Sequence, residues 1–103
     1  IKWFDVDKIV YDDYKTPGKP NPAIYLKALD ILKLKAEDAL VFEDSYSGIT
    51  AANNAKICRI IAINENPDSF QQKDKVFKVI KDFNELDYGI IYNNAWSNII
   101  KGK

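Results

Sequence analysis

The chain has 103 residues, 47% hydrophobic and 13% aromatic, with 15 basic and 15 acidic side chains that cancel. A chain this short buries one modest core at most, and its charge balance sets up no net field that would draw it to nucleic acid or an anionic membrane surface. No apolar run approaches the roughly 20 residues of a membrane-spanning helix, the opening lacks a signal peptide's basic start and apolar core, and a lone cysteine excludes an internal disulfide framework.

These bounds point to a cytoplasmic protein whose partner is a small molecule or another protein, with no role for nucleic acid or membrane. Cys58 lies in an apolar stretch, where buried packing is its expected role. The chain opens on Ile1 and contains no methionine, which reads as a cut made inside a longer polypeptide.

Lys8 to Tyr11 reads as a short strand, followed by polar loop material from Asp12 to Lys19. Asn21 can cap and Pro22 can open a helix whose apolar positions Ile24, Ala28, Ile31 and Leu32 recur at helical spacing up to Leu34. Ala39 to Phe42 is apolar without alternation, the pattern of a parallel strand covered on both faces, and it stops abruptly at Glu43 and Asp44. Ile49 to Ala55 follows as a helix with the small face Ala51, Ala52 and Ala55, and Ile57 to Ile63 as a second buried strand. Ser69 to Lys75 is expected to be a short polar helix and Val76 to Ile80 a last strand. The tail, 87–103, places Trp96, Ile99 and Ile100 on one helical face and is expected to hold a short docked helix. Alternating helices and buried strands make the class layered α/β.

Two stretches carry chemistry. Val41-Phe42-Glu43-Asp44-Ser45 puts adjacent carboxylates where a buried strand gives way to a Gly-containing turn, at the sheet end where ligands bind in open α/β folds. Carboxylates there suit Mg²⁺, which takes one or two of them together with phosphate oxygens and waters. The bland alternative is that Asp44 or Ser45 merely caps the next helix. Gly18-Lys19-Pro20-Asn21-Pro22 holds one lysine between stiffening prolines, so that Lys19 can offer a point charge to a phosphoryl group or to carboxylates. Its bland alternative is a solvated lysine in an ordinary proline turn.

Taken together, Gly18 to Tyr25 and Val41 to Ala52 resemble the third and fourth motifs of the haloacid dehalogenase-like superfamily, in the order and spacing of its β-phosphoglucomutase-like group. The likeness runs from about Phe4 to Leu86, which sets 1–86 as the C-terminal half of such a core domain. It implies a partial Rossmann-like parallel sheet with flanking helices, lacking the N-terminal strands and the cap. It also implies a Mg²⁺-dependent phosphatase or phosphomutase acting on a small phosphorylated metabolite through an aspartyl-phosphate. Lys19 would take the catalytic role of stabilising the phosphoryl group, and Glu43 with Asp44 would hold the metal. Lys56 departs from the family, which usually has glycine after the helix, and a lysine there has to adopt a less favourable backbone conformation.

Asp5-Val6-Asp7 imitates the family's Asp-x-Asp nucleophile, but Lys8-Ile9 follows it in place of glycine and threonine, and too little chain separates it from Lys19. The nucleophile is therefore expected outside this chain, which would be inactive alone. In the family's strand order, 5-4-1-2-3, the strands present are 3, 4 and 5, which leaves a gap beside strand 4 with unpaired backbone groups. The expected partner at this edge is the missing N-terminal half of the same protein or a swapped strand, unless the chain has rearranged its own strands to close it. Two other classes stay open: a non-catalytic interaction or structural module, and a receiver-like signalling domain, against which the order of lysine before acidic pair argues. The sequence leaves the choice of substrate, phosphatase or mutase chemistry, and oligomeric state open.

Overall fold

Residues 2–6, 17–82, 84 and 98–102 are described by a computed structural model of the chain. Among them, strands β1 (Lys2–Asp5), β2 (Ala39–Glu43), β3 (Arg59–Ile63), β4 (Lys78–Ile80) and β5 (Asn98–Lys101) form one sheet. Its order is β1-β5-β2-β3-β4, and every neighbouring pair is parallel. Helices α1 (Ala23–Leu32) and α2 (Tyr46–Asn54) flank it, giving the expected α/β class. The strand expected over Lys8 to Tyr11 lies outside the described residues, while Lys2–Asp5 forms the edge strand β1.

All of β2 is buried, and strand geometry divides its residues between two faces. Ala39 and Val41 join Ile60 and Ala62 of β3, Ile100 of β5 and the inward faces of both helices in one cluster. Leu40, Phe42 and Ile61, of opposite parity, point to the other face and are also fully buried. This is why the strand reads as a continuous apolar run; burying each large side chain is worth about 1.5–3 kcal/mol. Glu43 has the parity of Ala39 and Val41, so it too points towards the helices.

Helix α1 turns a different face inward from the one its apolar residues mark. Tyr25, Ala28 and Leu29 are buried, whereas Ile31 is exposed and Ile24 and Leu32 pack only at the margin. At its start the Ala23 N–H donates to Asn21 Oδ1 at 2.9 Å, but Asn21, the expected cap, stands one residue before the cap position, which falls to Pro22 and carries no N–H to satisfy. In α2, Ala51 and Ala52 are buried, and their small side chains let the helix lie close over β2 and β3. After α2, Lys56 adopts φ 69°, the left-handed conformation foreseen for this non-glycine residue.

Three expectations need correcting. Asn98–Lys101 is a strand where helical periodicity had pointed to a docked helix. Two consecutive β-branched isoleucines suit a strand, and the sheet offers this segment two partners, since β5 pairs with β1 on one side and β2 on the other. The gap beside β2 is thus filled by the chain's own segment. Cys58 is exposed, not packed, because it lies in the turn before β3 while its neighbour Ile57 turns inward. The segment from Ser69 to Lys75 is not one helix: Pro67–Ser69 and Lys73–Lys75 form separate 3₁₀ turns, between which buried Phe70 stacks on Tyr46 with ring centroids 5.1 Å apart.

Candidate functional site

At the carboxyl end of β2, Glu43 is fully buried yet charged, and its surroundings are built to hold it. Oε2 accepts from Tyr25 Oη at 2.6 Å and from Lys19 Nζ at 3.2 Å. Oε1 accepts from the backbone N–H of Asp44 at 3.0 Å, the N–H of Ser45 at 3.3 Å and Ser45 Oγ at 3.1 Å. Five donors converge on a group that offers about four lone-pair sites. A buried carboxylate without such partners would cost several kcal/mol.

Each donor is placed by a different element. Lys19 arrives from the loop before α1 and is itself largely covered, with 11% of its side chain exposed. Tyr25 comes from the first turn of α1; its hydroxyl meets Glu43 and its ring lies 6.0 Å from the Lys19 ammonium. Ser45 caps α2, since its Oγ accepts from the Gly48 N–H at 3.0 Å while donating to Glu43. Capping therefore falls to Ser45 and leaves Asp44 out of it.

Glycines on two sides make room for this carboxylate. A Cβ at Gly48 would run into the Glu43 side chain, and one at Gly102 would run into Glu43 Oε2 and Tyr25 Oη. Gly102 follows β5, donates its N–H to Phe42 O at 2.7 Å and is buried, so the segment that fills the sheet also closes the site.

Asp44 is the contrast. One residue further along, it turns away from the helices and is exposed. It lines a cleft of about 550 Å³ together with Ile63, Asn64, Glu65 and Lys81, at the carboxyl ends of β2, β3 and β4. Among the described residues no group of three or more His, Cys, Asp or Glu side chains could hold a metal ion. Mg²⁺ does not require one: a single outward carboxylate with phosphate oxygens and waters suffices. Asp44 fits that need, whereas the oxygens of Glu43 are already occupied.

The structure thus brings together all three residues singled out in the sequence, Lys19, Glu43 and Asp44. Asp5 is not among them: it ends β1, level with Phe42 but two strands away, about 10 Å by ordinary strand spacing. Asp7 lies outside the described residues. Tyr25 and Gly102 were not singled out by sequence reasoning. A tyrosine among the inward positions of an amphipathic helix was a usable signal, because its hydroxyl needs a buried partner; nothing local marks Gly102.

Comparison with known proteins bears on the same residues. A sequence profile of the haloacid dehalogenase-like hydrolases matches residues 1–56, which include Lys19, Glu43 and Asp44. The phosphorylated carbohydrates phosphatase of Thermotoga maritima is 47% identical over 62 residues, 60% of this chain and 28% of that protein. A β-phosphoglucomutase of Mycobacterium bovis is 32% identical over 59 residues, 57% of this chain and 22% of that protein. A crystal structure of a haloacid dehalogenase hydrolase, family IA, variant 3, from Entamoeba histolytica superposes with a TM-score of 0.71 at 35% identity, covering 87% of this chain and 41% of that one. The chain spans about a quarter of the length of these two curated relatives.

Proposed function

Since the chain belongs to the haloacid dehalogenase-like hydrolase family, we propose that it supplies the lysine and metal half of a Mg²⁺-dependent phosphotransfer site for a small phosphorylated metabolite. The observation that carries this reading is the Lys19–Glu43 ion pair set beside the exposed Asp44 at one sheet end.

Phosphoryl transfer asks a protein mainly for positioning and for stabilisation of charge on the moving group. Lys19 supplies a fixed positive charge, held by Glu43 on a short proline-bounded loop so that little reorganisation is needed when a phosphate arrives. Asp44 offers the outward carboxylate on which Mg²⁺ would sit, and bound Mg²⁺ would neutralise phosphate charge. The carboxylate that attacks phosphorus to form an aspartyl-phosphate is not supplied by Asp5, which stands too far away. Asp7 is followed by Lys8-Ile9 where the family's nucleophile motif continues with glycine and threonine, so the 103-residue chain alone is expected to be inactive. The exposed thiol of Cys58 suits a reducing, cytoplasmic setting. The name of the Thermotoga relative puts phosphorylated carbohydrates first among substrates to try.

The test is a hybrid in which the part of the Thermotoga relative preceding its matching region is joined ahead of Ile1, made with and without residues 83–103, because β5 occupies sheet positions that the added strands need. Mg²⁺-dependent hydrolysis of p-nitrophenyl phosphate and of a phosphosugar panel is expected, and its loss in Lys19→Met. A folded hybrid without turnover, or one indifferent to Lys19→Met, would count against the reading.

A further inference from the structure

Both sides of β2 are taken, one by β3 and the other by β5, and the two neighbours are held very differently. β3 follows β2 through α2, which lies over both strands. β5 is a four-residue strand drawn from far along the chain, and among the described residues it is the only strand that pairs with β1. A group delivered on a strand end to Lys19 and Asp44 from within the sheet has one place to run, the slot that β5 fills. We infer that this slot between β1 and β2 is a strand-exchange site, in which residues 98–102 are a stand-in for an extended, parallel partner strand that carries the attacking carboxylate. The partner's carboxylate rests on the phosphotransfer reading above; the exchange itself does not.

The contacts of β5 state what a partner strand must bring. Ile100, opposite Val41, is fully buried in the core cluster, so that level needs an apolar residue. Gly102 donates its N–H to Phe42 O at 2.7 Å, and a Cβ there would run into Glu43 Oε2 and Tyr25 Oη, so that level needs glycine. Between them Lys101 is exposed, and being level with Phe42 it points to the face that Asp44 also takes. This level accepts a charged side chain. A carboxylate there would stand on Asp44's side of the sheet one strand away, whereas Asp5, at the same level, is a strand further off. With a lysine at that level, β5 closes the sheet without completing the site. Main-chain hydrogen bonds give affinity in strand addition and side-chain pockets give specificity, so the Ile100 and Gly102 levels select the partner.

The experiment adds a synthetic peptide, Lys-Val-Ile-Ile-Asp-Gly-Lys, to the 103-residue chain labelled with ¹³C at its isoleucine methyl groups. Tethered β5 competes at a high effective concentration, so half-saturation should fall at about 1–10 mM. At saturation the Ile100 methyl signal should move to the position of an unstructured isoleucine, while those of Ile60 and Ile61 stay in place. Gly102→Ala weakens β5 but not the slot, and should lower the half-saturation concentration about fivefold or more. A peptide with lysine for its aspartate should match the first within about threefold, as expected at an exposed level. One with alanine for its glycine should leave Ile100 in place. Peptide binding without movement of Ile100, or no displacement up to the solubility limit, would overturn the exchange. Displacement by the lysine peptide alone would overturn the carboxylate-bearing partner, and equal displacement by the alanine peptide would overturn the glycine requirement. If Gly102→Ala does not fold, the wild-type methyl shifts decide. A hybrid that turns over while the peptide fails would remove this inference and leave the functional reading standing; displacement of β5 with a folded but inert hybrid would leave the exchange and remove that reading.

Discussion

Replacing Tyr25 with phenylalanine removes one oxygen from the centre of the site and leaves the ring's packing in place. The lost hydrogen bond is the shortest of the five on Glu43, at 2.6 Å, and its acceptor is a fully buried charged group. Hydrogen bonds to charged groups contribute about 1.5–3 kcal/mol. Lys19 stays on the same oxygen, 3.2 Å away, so Oε2 is not left bare and the loss should fall near 2 kcal/mol, in the lower part of that range. For a domain of this size such a loss lowers the melting temperature by roughly 8–16 °C. Urea denaturation of wild type, Tyr25→Phe, Glu43→Gln and the double variant isolates the interaction. The coupling should reach about 1 kcal/mol, because a charge-assisted bond becomes a neutral one of roughly half the strength. A Tyr25→Phe loss below about 0.5 kcal/mol, or an equal loss with Gln at position 43, would refute the assignment of Tyr25 as a buried partner of a charged Glu43.

Other substitutions probe the remaining parts. Gly102→Ala forces a methyl group against Glu43 and Tyr25 and should destabilise by about 1–3 kcal/mol, with Ile100→Ala costing about 2–5 kcal/mol if β5 is an interior strand; unchanged denaturation midpoints for both would show that this segment does not close the sheet. Lys56→Gly relieves a left-handed backbone worth about 1–2 kcal/mol and adds about 0.5–1 kcal/mol of unfolded-state entropy, so a net gain near 0.5–1 kcal/mol is expected in the same assay. Asp44→Asn, at an exposed position, should leave stability within about 0.5 kcal/mol of wild type in the same assay, and a large stability loss would mean that Asp44 has a structural task.

How far the sequence reveals this arrangement depends on whether local or distant forces decide each element. The strands β2 and β3 are legible because burial on both faces leaves an unbroken apolar run, and α1 is legible because Asn21 and Pro22 mark its start. The inward face of α1 is not, since Ile31 outranks Tyr25 in hydrophobicity and only the buried Glu43 gives the tyrosine a reason to turn in. β5 is hidden for a similar reason. Trp96, Ile99 and Ile100 satisfy a helical spacing, and the force that selects a strand is the pair of open sheet edges on β1 and β2, far away in sequence. At the site, Lys19, Glu43 and Asp44 could be named from motif spacing. Their division of labour could not, because it follows from strand parity, which sends Glu43 under the helices and Asp44 into the open cleft.

The claim that this chain contributes the metal side of a phosphotransfer site meets its most direct test in one rate: p-nitrophenyl phosphate hydrolysis by the Thermotoga hybrid carrying Asp44→Asn, measured across a Mg²⁺ titration. The expected result is a folded protein whose rate does not rise above buffer at any Mg²⁺ concentration. An Asp44→Asn hybrid that retains both its rate and its Mg²⁺ dependence would contradict it.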